Sequence, residues 1–264
     1  MSDRHPVIAG AEPWSAEGTG ARGAVGVVVS HGLTGNPVST RPLGEALAAA
    51  GFSVSVVRLP GHGTAWRDMA RTRYADWRAE VERAIDAFRR AGKQVVVVGL
   101  SMGGTLALDL ACARPDAVAG AVSINPAVLD REGLLARAAP VLEKIIPVVP
   151  AGVAGLHKND IAKGGDEKAY AFVPAKAANS LLRELPRIRA ALAELRVPLL
   201  VCYSPEDHNV PPRNSRALVE MLAGKDVTEL RLERSYHVAT LDHDFDLLVE
   251  RVCAFCDRVA RPGE

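Results

Sequence analysis

Apolar runs and amphipathic stretches alternate along this chain. Ala24 to Ser30 is a continuous apolar run and predicts a buried strand. Pro42 to Ala50 reads as a helix, with Thr40 or Arg41 near its cap and Gly51 closing it. Ser53 to Val57 predicts the next strand. Trp77 to Ala91 alternates charge with Val81, Ile85 and Phe88 at helical spacing and stops at Gly92. Gln94 to Val98 is an unbroken β-branched run, followed by a helical stretch to Ala113 and a strand over Ala119 to Ile124. After a break, the rhythm returns as a strand (Leu199 to Tyr203), a helix (Ser215 to Leu222), a strand (Val227 to Leu232) and a final helix (Phe245 to Ala260). Strands separated by helices predict an α/β fold, a mostly parallel sheet with helices on both faces.

Residues 127–190 interrupt the pattern. The stretch is rich in proline and glycine and carries an apolar piece from Val141-Leu142 through Ile145-Ile146 to Val148-Val149. It follows a strand, so an insertion here lies over the strands' C-terminal edge. The expectation is a small helical cap, 127–190, on a core made of residues 1–126 and 191–264. Its apolar content argues against a disordered linker.

At 264 residues, the chain is long enough for one large domain with a well-buried core. A net charge of +1 gives no electrostatic case for nucleic acid or an anionic membrane surface. Residues 1–23 lack an apolar signal region, and no stretch approaches the length of a membrane span, so a cytoplasmic protein is expected. Cys112 and Cys202 read as small core residues. Cys253 and Cys256 fall in register with Leu248, Val252 and Phe255, so this C-x-x-C reads as core packing rather than a redox or metal site.

The chemistry concentrates behind the valine run, at Gly99-Leu100-Ser101-Met102-Gly103. Strand, tight turn and helix in succession are what a Gly-x-Ser-x-Gly nucleophile requires. The turn lifts the Ser101 hydroxyl to the top of the sheet, in front of the unpaired N–H groups of a helix N-terminus. Such an elbow resembles that of α/β hydrolases, where serine, acid and histidine follow in that order.

His237 fits the base, since it lies just after the final strand. His243 competes, but Asp242 and Asp244 flank it in what reads as a solvated first turn. Asp207, in the loop after the preceding strand, fits the acid, with Glu206 as the adjacent substitute and His208 as a peripheral residue. Leu33, in His31-Gly32-Leu33-Thr34-Gly35, and Met102 fit the two N–H donors of an oxyanion hole. His31 reads as orienting that loop, and His62, in Leu59-Pro60-Gly61-His62-Gly63, as a loop-stabilising hydrogen bond. Asn125 either reaches the site or merely ends its strand.

These segments, with Ser235-Tyr236-His237-Val238-Ala239-Thr240-Leu241-Asp242 the closest of them, resemble small bacterial carboxylesterases and monoacylglycerol lipases. The resemblance implies Ser101 as nucleophile, Asp207 as acid, His237 as base, and Leu33 and Met102 as oxyanion donors. It departs at Leu33, where relatives often carry an aromatic residue. The implied activity is hydrolysis of a small-molecule ester with a medium or long acyl chain, by a monomer or homodimer, with no cofactor or metal. The same triad also serves thioesterases, lactonases and carbon–carbon hydrolases, and a non-catalytic binder of a hydrophobic ligand is the remaining alternative.

Overall fold

The computed structural model describes residues 3–129, 143 and 145–260. The described strands are β1 (Trp14–Ala16), β2 (Val25–Ser30), β3 (Ser53–Val56), β4 (Gln94–Leu100), β5 (Gly120–Ile124), β6 (Val148–Pro150), β7 (Phe172–Pro174), β8 (Leu199–Tyr203) and β9 (Val227–Arg231). The described α-helices are α1 (Arg41–Ala49), α2 (Trp66–Met69), α3 (Tyr74–Arg90), α4 (Met102–Ala113), α5 (Ala175–Leu192), α6 (Arg213–Met221) and α7 (Phe245–Ala260). Strands β6 and β7 pair with each other, while the rest form one sheet in the order β1-β3-β2-β4-β5-β8-β9. Within that sheet only β1 runs antiparallel, along the edge beside β3.

Strand alternation divides the apolar runs between two faces. Val28, Val95 and Val97 join one core cluster, with Trp77, Ile85, Leu106 and Leu185. Val27, Val29, Val96 and Val98 join the other, with Leu43, Leu47, Leu248 and Val252. Helices α3, α4 and α5 thus cover the first face, and α1 and α7 the second. Helix α4 is buried at every position from Met102 to Ala111, because it lies between the sheet and other helices. Helix α3 begins three residues before the predicted start, where the Asp76 carboxylate accepts the Arg73 N–H at 2.9 Å.

The expected cap, 127–190, is described in part. Before residue 175 its elements are the short strands β6 and β7, and residues 130–142 lie outside the described residues. Helix α5 begins at Ala175 and runs through residue 190, so that boundary falls inside an element of the core layer. Its buried face (Ala177, Leu181, Leu185, Ile188 and Leu192) has clear helical spacing. Pro186 within the helix removes one backbone donor and obscured that pattern. The next residue, Arg187, meets the buried Asp109 of α4 with two nitrogens at 2.9 Å.

All four cysteines are free thiols. Cys202 and Cys256 are buried and Cys112 and Cys253 half-buried against the core. No described helix is long and apolar enough to cross a membrane.

Candidate active site

Strand β4 delivers the chain to Ser101, whose φ is 57° and ψ −119°. A non-glycine residue holds such a backbone only where its surroundings enforce it. Here the Ser101 N–H donates to the Ile124 C=O at 2.8 Å, and the Ser101 C=O accepts the Thr105 N–H at 3.0 Å. A Cβ on Gly99 would lie 2.0 Å from the Gly103 carbonyl, and one on Gly103 would lie 2.3 Å from the Ser30 oxygen. Strand and helix therefore meet by backbone contact, which no side chain permits.

The loops after β8 and β9 bring Asp207 and His237 together. The His237 Nδ1 lies 2.7 Å from Asp207 Oδ2, and both side chains are buried. A carboxylate only accepts, so Nδ1 carries the proton and Nε2 is left as the basic nitrogen. The other carboxylate oxygen accepts the N–H groups of Asn209 and Val210 at 2.8 Å each. Burial pulls the imidazole pKa down, but the Asp207 charge and hydrogen bond, aided by Glu167 and Asp160, outweigh it and raise the pKa above 6.5. Asn125, itself at a φ of 47°, reaches this region: its amide donates to the His237 C=O at 2.8 Å and accepts the Ser204 N–H at the same distance.

The loop after β2 passes directly over the elbow. A Cβ on Gly32 would lie 3.1 Å from that of Ser101. The His31 Nε2 accepts the Leu59 N–H at 3.2 Å, so its Nδ1–H donates to the Gly32 C=O at 3.0 Å. That carbonyl belongs to the same peptide as the Leu33 N–H, which the ring thereby orients. His62 Nε2 donates to the Leu33 C=O at 2.6 Å. Burial lowers both rings' pKa, that of His62 to about 4, so neither carries charge at neutral pH. Neither the Leu33 nor the Met102 N–H has an acceptor among the described residues.

Ser101, His237, Gly32 and Leu33 line one cleft. Its far wall comes from the segment after β6, through Leu156, Lys158, Glu167 and Tyr170. Glu167 is a buried carboxyl whose pKa burial raises above the ordinary glutamate value, against the pull of His237. Sequence reading missed it, since a Gly-Gly-Asp-Glu-Lys run looks like a solvated turn. Glu206 and His243 are exposed, away from the roles considered for them. Asp242 and Asp244 correct the reading of a solvated first turn. Both are buried, and Asp242 accepts four backbone N–H groups, from Ala162, Lys163, Tyr236 and His243.

A mostly parallel sheet ending in a strand–serine–helix elbow, with an Asp–His pair on the two loops that follow, defines an α/β hydrolase. The family profile described as "Serine aminopeptidase, S33" matches residues 22–244, and the chain belongs to this family of serine hydrolases. It is 39% identical over 265 residues to a thermostable monoacylglycerol lipase of Bacillus sp. (strain H-257), covering 97% of this chain and 98% of that protein. A solved metagenome-derived lipolytic enzyme, from work on LipS and LipT, superposes with a TM-score of 0.87 at 35% identity, covering 96% of this chain and 100% of the other. A monoacylglycerol lipase of Paleococcus ferrophilus shares the fold, with a TM-score of 0.76 at 23% identity over 94% of this chain and 99% of its own. The protein is an enzyme.

Proposed function

We propose that this enzyme hydrolyses carboxylic esters of the monoacylglycerol type through an acyl-enzyme. His237 takes the Ser101 proton as Oγ attacks the ester carbonyl. Asp207 holds the Nδ1–H tautomer and stabilises the imidazolium that forms. The Leu33 and Met102 N–H groups receive the oxyanion, each contributing about 3 kcal/mol. The tetrahedral intermediate then collapses, and the His237 proton leaves with the alcohol. Water attacks the acyl-enzyme next, with His237 again as base and Ser101 as leaving group.

The observation that carries this reading is the 2.7 Å bond between Asp207 and a ring that shares one cleft with Ser101. Near-full-length identity to a monoacylglycerol lipase supports the substrate class. So does the lining. Leu33, Ala151 and Leu156 offer an apolar wall to a medium or long acyl chain, while Lys158, Glu167 and Asn209 offer polar groups to a hydroxylated alcohol. Within the inserted segment 127–190, the stretch from Ala151 to Tyr170 acts as the cap.

A fluorophosphonate probe tests the chemistry. Wild-type protein labels at Ser101, and Ser101→Ala does not label. The substrate class is tested by kcat/KM for 1-monoacylglycerol against p-nitrophenyl esters of rising chain length, a thioester, a lactone and a dicarbonyl compound. Monoacylglycerol or a simple ester leads the panel; a thioester, lactone or dicarbonyl substrate ahead by tenfold overturns the assignment. Because the base acts neutral and its pKa is raised, kcat/KM falls on the acid side through a limb displaced upward from that of an ordinary histidine.

A further inference from the structure

Asp160 is a buried carboxylate outside the Ser101, Asp207 and His237 set, on the irregular segment between β6 and β7. It faces two loops at once. Its Oδ2 accepts the main-chain N–H of His208 at 3.1 Å and that of His237 at 3.3 Å. Its Oδ1 lies 2.7 Å from Nδ1 of the His208 ring, and its C=O accepts the Val238 N–H at 3.0 Å. His208 directly follows Asp207. One side chain therefore ties the neighbour of the acid to the main chain of the base. Asn125 holds the same histidine from its C=O, so the His237 peptide groups are fixed at both ends.

This placement does more than close a loop. Burying an ionised carboxylate is unfavourable unless its partners compensate. Here the partners are two N–H groups and a half-exposed imidazole that also sits edge-on to Tyr236, ring centroids 4.6 Å apart. We propose that Asp160 is a positioning residue for the hydrolysis: it sets the approach of the Asp207 and His237 loops through main-chain hydrogen bonds, and it holds a carboxylate against the base's own peptide. This inference rests on the acyl-enzyme reading above. The ionisable groups around His237 are Asp207 from its partner loop, Glu167 and Asp160 from the segment after β6, and Lys158 on the same cleft wall. His208 acts through Asp160. The Asp160 charge adds to those of Asp207 and Glu167 in raising the His237 pKa.

The experiment is the rate of fluorophosphonate labelling at Ser101 from pH 5 to 9, on full-length wild type, Asp160→Asn and Asp160→Ala. The Asn variant keeps an oxygen for the two N–H groups and loses the charge. It is expected to lower the plateau rate about threefold and to move the acid limb down by about half a pH unit. The Ala variant loses the geometry as well, and its plateau falls tenfold or more. An acid limb for Asp160→Asn that superimposes on wild type overturns the proposal, even if Asp160→Ala fails to fold. Wild-type protein that never labels overturns the acyl-enzyme reading itself, and so is distinguished from failure of the Asp160 role.

Discussion

The central sheet and the segment from His157 to Tyr170 are held in place by opposite means. In the sheet, Val95 to Val98 are fully buried, sending alternate side chains into two apolar clusters while the main chain is satisfied by β2 and β5. Residues 157–170 form no strand and no helix. Ile161 and Tyr170 reach the two apolar clusters, and the rest of the segment is fixed by polar bonds to four loops. Tyr170 N–H donates to Thr34 and its hydroxyl to Gly61, Asn36 donates to the Glu167 and Lys168 carbonyls, Asp160 holds His208 and His237, and Asp242 accepts the N–H groups of Ala162 and Lys163. Apolar burial has no direction, so it sets volume and stability. Hydrogen bonds have direction, so they set where individual groups sit. The sheet supplies the energy, and the irregular segment supplies the alignment.

Substitutions separate the two roles. The largest effect is expected from Gly103→Ala, whose Cβ would press on the Ser30 carbonyl. We expect a loss of about 4 kcal/mol and little soluble protein, read by thermal melting and yield. Leu106→Ala, in the first core cluster, should remove about 3 kcal/mol, yet leave kcat/KM within twofold below the melting temperature. A tenfold drop there would mean that the core also sets alignment.

Asp242→Asn sharpens the other side, with a loss of about 2 kcal/mol and a larger fractional loss of activity than Leu106→Ala. Burial tends to raise the Asp242 carboxyl pKa, but the four N–H donors outweigh it and hold it below the ordinary value. A depressed folded-state pKa adds stability above the unfolded pKa of about 3.9, and that stability is lost as pH falls through the folded value. The gap in melting temperature between wild type and variant should therefore stay constant from pH 7 to about 5 and close only below pH 4. A gap that closes near pH 6 would assign the effect to another group.

The same contrast decides what the sequence reveals. Parallel strands flanked by turns are legible because burial on both faces leaves unbroken valine runs, as at 95–98. The elbow and the Asp207 and His237 loops are legible because their positions follow from strand order, and Glu206 and His243 give way once exposure is known. Helix α5 was obscured by Pro186. Strand β1 is too short, and too close to proline and glycine, to show a period. Glu167, Asp160 and Asp242 are illegible for a deeper reason. Each is a lone acid in a polar turn, and only the folded chain shows that its partners are main-chain groups from distant loops.

The backbone around Ser101 is wedged by Gly99 and Gly103 rather than by side chains, so the height of the Ser101 hydroxyl over the sheet belongs to the scaffold and not to the residue standing there. Exchanging the hydroxyl for a thiol or a carboxyl group would leave the mount intact. A lineage built on this frame can thus present different functional groups at position 101 by single replacements, while shifting that exposed position by one residue would require another fold.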